Sequence, residues 1–502
     1  MKECIELNNK LSIKDLVAIA RYNKKIRLGD ELKNRVSNNR KALLNLVENN
    51  EIIYGVTTGF GENFKKSISL KDAEKLQENI INSHATAVGD ILTEEETRAI
   101  ILVILNSLGK GYSGVRLDTL ERLKMILNKN IYPYAPKNGS VGYLSVEAHI
   151  IRSMVGSGKI ILNKMEVDSR EVLGDYKLSY KEGLALISGT SSVTGLGAIA
   201  INDFIIGAKT ADIIAAMTFE VLNGNVKAYD KRAMKLRNQK EQIDTAENII
   251  KILETKSIVT NDFNKKLQDS LSLRCVPQLH GAAKNTLYNA YNVIENEING
   301  CPDNPIIYQE AKRVEAISNG NPDSSYVGLV LDSSCIEATM IGKMSERRNN
   351  RLIDGNLSGK EWFLTNNPGL NSGLMIPQYS QAGLLNQMRI LSVPAVIDNT
   401  PTCGNQEDYV AMGYNSSLKA LKVASYLEYI LAIELLSTYQ AYNLTKNLKI
   451  SKVTGLVYKF LAEKIPELSE DKFLFEYIDY IKDMIHEGLI LKVVEDQIGE
   501  LK

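Results

Sequence analysis

The sequence predicts an all-α protein: a bundle of long helices with a smaller, mainly helical N-terminal domain. Apolar residues recur at helical spacing in residues 117–127, 245–252 and, above all, 418–442. The 502 residues include only 11 prolines, and few segments alternate polar and apolar residues as strands do. We predict that residues 1–200 form the N-terminal domain and residues 201–502 the central helical bundle with the C-terminal helices.

The charge balance and the apolar runs exclude several classes of protein. Lysine plus arginine and aspartate plus glutamate number 60 each, so no net field favours nucleic acid or an anionic membrane as a partner. The longest apolar run, residues 99–105, is too short to span a bilayer and predicts a buried helix. The N-terminus is polar and charged, unlike a signal peptide. We therefore expect a cytoplasmic protein that binds no membrane.

The cysteines and histidines show no metal-binding pattern. The five cysteines are scattered, odd in number and without CxxC spacing, which disfavours a disulfide framework or a zinc site. The four histidines form no HExxH pair or similar motif. We expect no metal ion, and a reducing compartment fits the cysteine usage.

Seven loops rich in glycine, asparagine and proline separate the predicted helices. Loops of this kind concentrate binding residues, although helix capping and turning explains any one of them. They are Tyr54–Gly61, Ala135–Tyr143, Ile187–Thr190, Gly300–Ile306, Ser318–Asp323, Asn367–Gln378 and Pro401–Asp408.

Several of these loops, in this order, resemble the aromatic amino-acid ammonia-lyase family, which includes the histidine and phenylalanine ammonia-lyases. The resemblance runs from about residue 50 to about residue 415 and implies a helical homotetramer with sites built from three chains. It also implies a small aromatic or imidazole amino-acid derivative as substrate. The matching segments include Tyr54–Gly61, Asn82–Gly89, Asn106–Arg116, Lys181–Thr190, Ser272–Gln278, Asp303–Ile306, Ser345–Arg348, Gly369–Gln378 and Asn405–Asp408.

One segment departs from the family pattern. Members normally carry Gly-Ser-Val-Gly followed by Ala-Ser-Gly-Asp, and the Ala-Ser-Gly cyclises and dehydrates into the electrophile methylidene-imidazolone (MIO). Here Gly139–Gly142 is followed by Tyr143 and Leu144, so one tyrosine replaces four residues. Ala-Ser-Gly occurs nowhere in the chain. We expect no MIO and no other cofactor, as in ergothionase, a branch of the family that eliminates trimethylamine from ergothioneine without MIO.

Loss of the electrophile leaves three interpretations. The substrate brings a good leaving group, such as the trimethylammonium of an imidazole betaine like ergothioneine, and the product is an acrylate. Alternatively, the enzyme is an ammonia-lyase acting on histidine or another aromatic amino acid by an unusual route. The third interpretation is a catalytically inactive homologue with a binding role.

Three residues are candidates for catalysis. Tyr54, in a glycine-rich loop, is the candidate general base, and its hydroxyl needs a lowered pKa, helped by a cationic substrate. The alternative for Tyr54 is an ordinary loop tyrosine. Glu407 either holds the cationic amine or an imidazole N–H, or caps a helix beginning near Asp408. Tyr143 either fills the volume that the prosthetic group would occupy or contacts the leaving group.

The resemblance places the remaining candidates in substrate binding. His84, in a Ser-His pair typical of histidine-specific members, would contact an imidazole, whereas a lone histidine is more often a core residue. Arg274 would bind the substrate carboxylate through its guanidinium fork, and a buried structural ion pair is the alternative. Ser188 stands where the family has an asparagine beside the prosthetic group. The other matched positions are Gln268, Asn304, Gln378 and Gln406.

Overall fold

The computed structural model describes residues 4–162, 164–253, 267–310, 313–445 and 448–502. Helices dominate these residues. They are α1 (Ile13–Ala20), α2 (Asp30–Glu48), α3 (Ala73–His84), α4 (Glu94–Leu108), α5 (Leu117–Asn128), α6 (Ser145–Met154), α7 (Ser169–Leu173), α8 (Glu182–Ile187), α9 (Ser191–Val221), α10 (Lys231–Leu236), α11 (Lys240–Leu253), α12 (Leu271–Arg274), α13 (Val276–Ile298), α14 (Ser325–Ile353), α15 (Gly355–Ser358), α16 (Met375–Leu391), α17 (Gly413–Asn443), α18 (Lys452–Ala462), α19 (Phe475–His486) and α20 (Leu489–Ile498).

The strands are short and form small sheets. They are β1 (Cys4–Leu7), β2 (Lys25–Leu28), β3 (Val88–Ile91), β4 (Tyr132–Pro133), β5 (Pro136–Asn138), β6 (Lys159–Leu162), β7 (Met165–Asp168), β8 (Ile306–Glu310) and β9 (Arg313–Ile317). β1 pairs with β2 in parallel, while β3–β5, β4–β6–β7 and β8–β9 pair antiparallel. Each sheet has only two or three short strands, so the sheets do not form a layer of their own.

The predicted all-α fold of long helices is confirmed. The three stretches with helical spacing fall within α5, α11 and α17, and the apolar run at 99–105 lies in α4, where every residue from Thr97 to Leu108 is buried. Residues 182–221 are long and apolar enough to cross a membrane, but 94% of their most apolar window is buried inside the protein. This stretch is therefore a core segment. None of the five cysteines forms a disulfide.

The residues form two compact units that do not follow the chain in two consecutive halves. The first unit comprises Met1–Asn202, Ala290–Asp332 and Pro394–Leu421, and the second comprises Asp203–Asn289, Ser333–Val393 and Lys422–Lys502. The predicted boundary at residue 200 lies close to the first change of unit. Residues 290–332 and 394–421 also belong to the first unit, so a single boundary does not separate the two units.

In the first unit, helix α2 packs against the β8–β9 hairpin and the start of the tyrosine loop. Leu43 and Leu46 of α2 are buried in one cluster with Ile53, Val56 and Ile307. Burial of apolar side chains is the main stabilising contribution in such a cluster. The cluster fixes the residues on both sides of Tyr54.

The second unit contains fully buried ion pairs between its helices. Arg348 of α14 forms a bidentate salt bridge with Glu434 of α17, with Nε–Oε1 at 2.6 Å and Nη2–Oε2 at 2.8 Å. Thr218 of α9 donates to the same carboxylate at 2.8 Å. Bidentate contacts of this type fix the register of neighbouring helices.

Among the described residues of the second unit, three side chains that could bind a metal ion lie together: Asp203, Glu428 and His486. His486 Nδ1 is 2.8 Å from Glu428 Oε1 and 3.9 Å from Asp203 Oδ2. Lys482 Nζ lies 3.8 Å from the other Glu428 oxygen and contributes positive charge. A hydrogen-bonded ion network accounts for this cluster.

Candidate active site

The first unit contains a cavity of about 520 Å³. Seven of the ten predicted site residues line it: Tyr54, His84, Tyr143, Ser188, Asn304, Gln406 and Glu407. Five further lining residues bear on its chemistry and were not predicted as site residues: Phe60, Asp323, Cys403, Asp408 and Tyr409.

The other three predicted residues belong to the second unit. Gln268 and Arg274 line a separate depression of about 360 Å³, and Gln378 lies half-buried on α16. Among the described residues Arg274 makes no salt bridge, and its Nε is buried without a hydrogen-bond partner. The alternative of a structural ion pair therefore finds no support in the described residues. A role in substrate binding stays a prediction for all three.

Two glycines and a glutamine shape the tyrosine loop. Gly55 has φ +68°, which favours glycine, and a Cβ atom there would lie 2.4 Å from Leu184 Cδ2, so a larger residue would displace that side chain. Gln77 donates to the Gly55 carbonyl at 2.9 Å and accepts from the Leu184 amide at 3.1 Å. The loop is thereby attached to α8. At its far end the Gly61 amide donates to the Tyr54 hydroxyl oxygen at 2.7 Å.

The pKa of Tyr54 differs in direction from the expectation. Burial raises the pKa of the Tyr54 hydroxyl above its ordinary value, the Gly61 hydrogen bond opposes this shift, and the charges of Cys403 and Glu407 add to it. A lowered pKa is therefore not a property of the ligand-free site. A cation bound beside the hydroxyl would favour the phenolate and lower the pKa, because opposite charges stabilise the ionised form.

His84 ends α3 with a defined tautomer. Its Nδ1 lies 2.8 Å from the carbonyl oxygen of Ile80, which can only accept, so Nδ1 carries the proton. Burial lowers the pKa of His84, which favours the neutral ring. Nε2 is then an acceptor suited to a ligand N–H. The ring of Phe60 lies against His84, with centroids 5.2 Å apart.

Tyr143 and Glu407 form a hydrogen-bonded pair. The Tyr143 hydroxyl donates to Glu407 Oε2 at 3.3 Å, and Thr402 Oγ1 donates to the same oxygen at 2.6 Å. Burial, and then the Glu407 charge, raise the pKa of Tyr143, so its phenol stays protonated. The helix-cap alternative for Glu407 is wrong, because the following helix, α17, begins only at Gly413.

The lining of the cavity is acidic and aromatic. Asp323, Glu407 and Asp408 contribute carboxylates, and the described lining residues include no lysine or arginine. Three tyrosines and a phenylalanine also line the cavity: Tyr54, Phe60, Tyr143 and Tyr409. Carboxylates and aromatic faces both attract an alkylammonium cation, and aromatic faces do so without hydrogen bonds. The cavity suits the cationic end of an amino acid, and its described lining offers hydrogen-bond donors but no cationic side chain to the carboxylate.

One buried ion pair and two hydrogen bonds from backbone amides position the part of the wall formed by Ser188 and Asn304. Lys181, immediately before α8, contacts both Asp303 oxygens at 2.9 and 2.8 Å, and both side chains are buried. At the C-terminal end of α8, the Ser188 amide donates a hydrogen bond to the Leu184 carbonyl oxygen at 2.8 Å. Asn304 Oδ1 accepts from the backbone amide of Asn319 at 3.0 Å. Asn304 lines the cavity, and its side-chain NH2 group has no part in this hydrogen bond.

The residues at the expected prosthetic-group position do not fit MIO. The Ser145 amide donates to the Tyr143 carbonyl at 3.0 Å around Leu144, whose φ of 74° and ψ of −63° define a γ-turn. Closing an imidazolone would join this carbonyl and this amide, but the methylidene needs a middle residue that loses a β-hydroxyl. Leu144 has none. The turn therefore has the bend of the cyclised group without its chemistry.

Glu147, on α6 behind this turn, is a feature that the sequence analysis missed. Its side chain is fully buried, Oε1 accepts from the Ser192 amide at 3.0 Å, and Oε2 has no hydrogen-bond partner in the described residues. Burial raises the pKa of Glu147 to about 7. A glutamate within the otherwise apolar face of a short helix was the available signal.

The raised pKa of Glu147 predicts a pH-dependent stability. The folded state binds the proton more tightly than the unfolded state, so the free energy of unfolding falls as pH rises from 4.5 to about 7. The loss is about 3 kcal/mol and levels off at higher pH. Glu147→Gln should remove this component. Urea unfolding of both proteins at pH 5 and pH 8 checks it, and equal pH dependence in the two would contradict it.

The chain matches the aromatic amino acid lyase family over residues 11–463. It is 38% identical over 506 residues to a histidine ammonia-lyase from Alkaliphilus oremlandii, covering 99% of each chain. The protein therefore belongs to the aromatic amino acid lyase family.

Two solved structures share the fold. The tyrosine aminomutase of Streptomyces globisporus superposes with a TM-score of 0.95 at 29% identity, covering 99% of this chain and 100% of that one. An ergothioneine-degrading ergothionase from Treponema denticola superposes with a TM-score of 0.88 at 23% identity, covering 97% and 99%. The latter likeness is one of fold alone. The long-helix architecture is thus shared with a tyrosine aminomutase and an ergothionase.

Proposed function

We propose that this enzyme eliminates an amine from an imidazole-bearing α-amino acid without an MIO group, and that the leaving amine is trimethylamine. Substrates of this class are ergothioneine and hercynine, and the product is the corresponding acrylate. The observation that carries the proposal is the Tyr143–Ser145 turn, which by the resemblance lies where the electrophile would form and whose middle residue, Leu144, has no β-hydroxyl to lose.

The imidazole is supported by His84 and by the relatives. Neutral His84 offers Nε2 as an acceptor for a ring N–H, and Phe60 offers an apolar face next to it. Relatives at 38% identity are named histidine ammonia-lyases. A histidine-like skeleton fits both observations.

The quaternary amine is supported by the lining around Tyr143. A trimethylammonium group donates no ordinary N–H hydrogen bond, so it depends on charge and aromatic faces. Glu407 and Asp323 provide negative charge, and both contribute to the raised pKa of Tyr143. The ring of Tyr143 occupies the same part of the cavity.

The proposed reaction needs no electrophile because the trimethylammonium group is permanently cationic, so it has no proton to lose to a competing base and always leaves as neutral trimethylamine. Ionised Tyr54 takes the β-proton of the substrate, the Cα–Cβ double bond forms, and the Cα–N bond breaks. Its electron pair leaves with trimethylamine, so the nitrogen loses its positive charge. Binding the cation first favours the phenolate of Tyr54, whose pKa burial raises in the free enzyme.

Histidine itself is the second candidate substrate, and the relatives favour it. Full-length identity of 38% to histidine ammonia-lyases is the specific observation. Elimination of ammonia would then proceed without the family's electrophile. An inactive homologue with a binding role is the remaining alternative, and the assay below separates all three.

The substrate is tested by incubating purified protein with ergothioneine, hercynine or histidine. We expect near-ultraviolet absorbance of an acrylate and release of trimethylamine with at least one betaine, at a rate above that of ammonia release from histidine. Ammonia from histidine with no response to either betaine would select the second candidate. No product from any of the three would contradict the lyase proposal and favour a binding role.

Assembly and location are also proposals. We infer a homotetramer with sites shared between chains, since the described cavity offers no cation to a substrate carboxylate and Arg274 lies in the second unit. Light scattering of the purified protein tests the assembly. We expect a cytoplasmic location, which suits cysteines that form no disulfide.

A further inference from the structure

Two stretches of backbone form adjoining parts of the cavity wall. Tyr143 and Leu144 form one, and Ser188 and Gly189 form the other. The Leu144 amide donates to the Ile187 carbonyl at 3.1 Å and joins them directly. The relative position of these two stretches therefore determines the shape of the cavity next to Tyr143.

Each stretch contains a residue with positive φ. Leu144 has φ 74°, which a branched side chain rarely adopts. Gly189 has φ +100°, and a Cβ atom there would lie 2.7 Å from the Pro302 carbonyl oxygen. A leucine in this conformation persists only where the surroundings hold it in place, and the close approach of Pro302 leaves no room for a side chain at position 189. The wall therefore depends on its anchors.

Glu147 provides a second connection immediately behind both stretches. It lies three residues after Leu144, on the first turn of α6, and accepts from the amide of Ser192 on the first turn of α9 at 3.0 Å. A helix N-terminus presents unpaired amides that attract a carboxyl oxygen. One side chain thus joins the starts of the two helices that follow the two wall stretches.

Burying the Glu147 carboxyl group costs free energy, because only one of its two oxygens is hydrogen-bonded to the described part of the chain. The side chain is fully buried, and its second oxygen has no hydrogen-bond partner among the described residues. The neighbouring Tyr414 hydroxyl is likewise buried and without a hydrogen bond there. An apolar side chain would fill this space at lower cost. The contact to Ser192 is what an apolar side chain could not supply.

We propose that Glu147 is a positioning residue that holds the Tyr143–Leu144 and Ser188–Gly189 stretches in register through its hydrogen bond to the Ser192 amide. Its effect on turnover rests on the proposed function, whereas its effect on the backbone does not. Glu147 lies behind the cavity wall and acts through the residues that line the cavity.

The test compares Glu147→Gln, which keeps an acceptor for the Ser192 amide, with Glu147→Met, which removes it. Glu220 is the matched control, because it is equally buried and accepts from the Ser451 amide at 2.6 Å in the second unit. For each variant, kcat and KM with the substrate of the wild type and hydrogen exchange of the amides of residues 188–194 are measured. Glu147→Ala carries the same expectation as the Met variant where that variant does not fold.

We expect Glu147→Met to lower kcat about tenfold or more, with a smaller change in KM, and to speed exchange at Ser192. Glu147→Gln should restore both to near wild-type values, and Glu220→Met should leave both unchanged. Wild-type kcat and exchange in the Met variant would overturn the proposal, as would equal losses in the Gln and Met variants. If the wild type converts no substrate, the proposed function fails and the exchange data alone decide the role of Glu147.

Discussion

Replacing Tyr54 by phenylalanine is expected to lower kcat by about 10³-fold with little change in KM. A general base contributes on the order of 10²–10⁴ in rate, and phenylalanine keeps the ring but not the acceptor of the proton. The single mutant removes one hydrogen bond, from the Gly61 amide, so the loop keeps its other contacts. Steady-state kinetics with the accepted substrate measure the effect.

The matched control for this loss is Tyr112→Phe. Tyr112 lies in the same unit, stacks on Tyr308 with centroids 6.5 Å apart, and does not line the cavity. Its variant should keep wild-type kinetics. A Tyr54→Phe enzyme with kcat within about threefold of the wild type would exclude Tyr54 as the base.

Replacing Glu407 by glutamine is expected to lower kcat/KM for a cationic substrate by about 10²-fold. The change keeps the shape of the side chain but removes the negative charge that we propose faces the amine, and a hundredfold loss corresponds to about 2.8 kcal/mol. Hydrogen bonds from Thr402 and Tyr143 fix the position of this carboxylate. Kinetics at two salt concentrations, which separate local from long-range charge effects, provide the measurement.

Glu62→Gln removes the same charge from an exposed position near the same loops and is the control. It should change kcat/KM less than about threefold, because solvent screens exposed charges. Equal effects of the two substitutions would mean that only net charge matters and that Glu407 does not hold the amine.

The helices were predictable because their apolar spacing is long and regular. Residues 418–442 fall within α17, and 117–127 match α5 to within one residue. The strands were not predictable, since segments of two to five residues are too short for an alternating pattern to stand out. The return of residues 290–332 and 394–421 to the first unit depends on packing that spacing does not encode.

The candidate site was predictable where motifs carry it. Loop composition and the resemblance located Tyr54, His84, Tyr143 and Glu407, and the structure brings them to one cavity. The direction of the Tyr54 pKa was not predictable, because it depends on burial. Glu147 was missed because its role depends on a contact to the Ser192 amide, which joins two helices that are distant in sequence.

Mass spectrometry of the intact, catalytically active protein tests most directly whether amine elimination proceeds here without a protein-derived electrophile. We expect a mass equal to that of the unmodified sequence, with the peptide spanning residues 139–145 unaltered. A mass lower by two water molecules, located to that peptide in the active enzyme, would contradict the account.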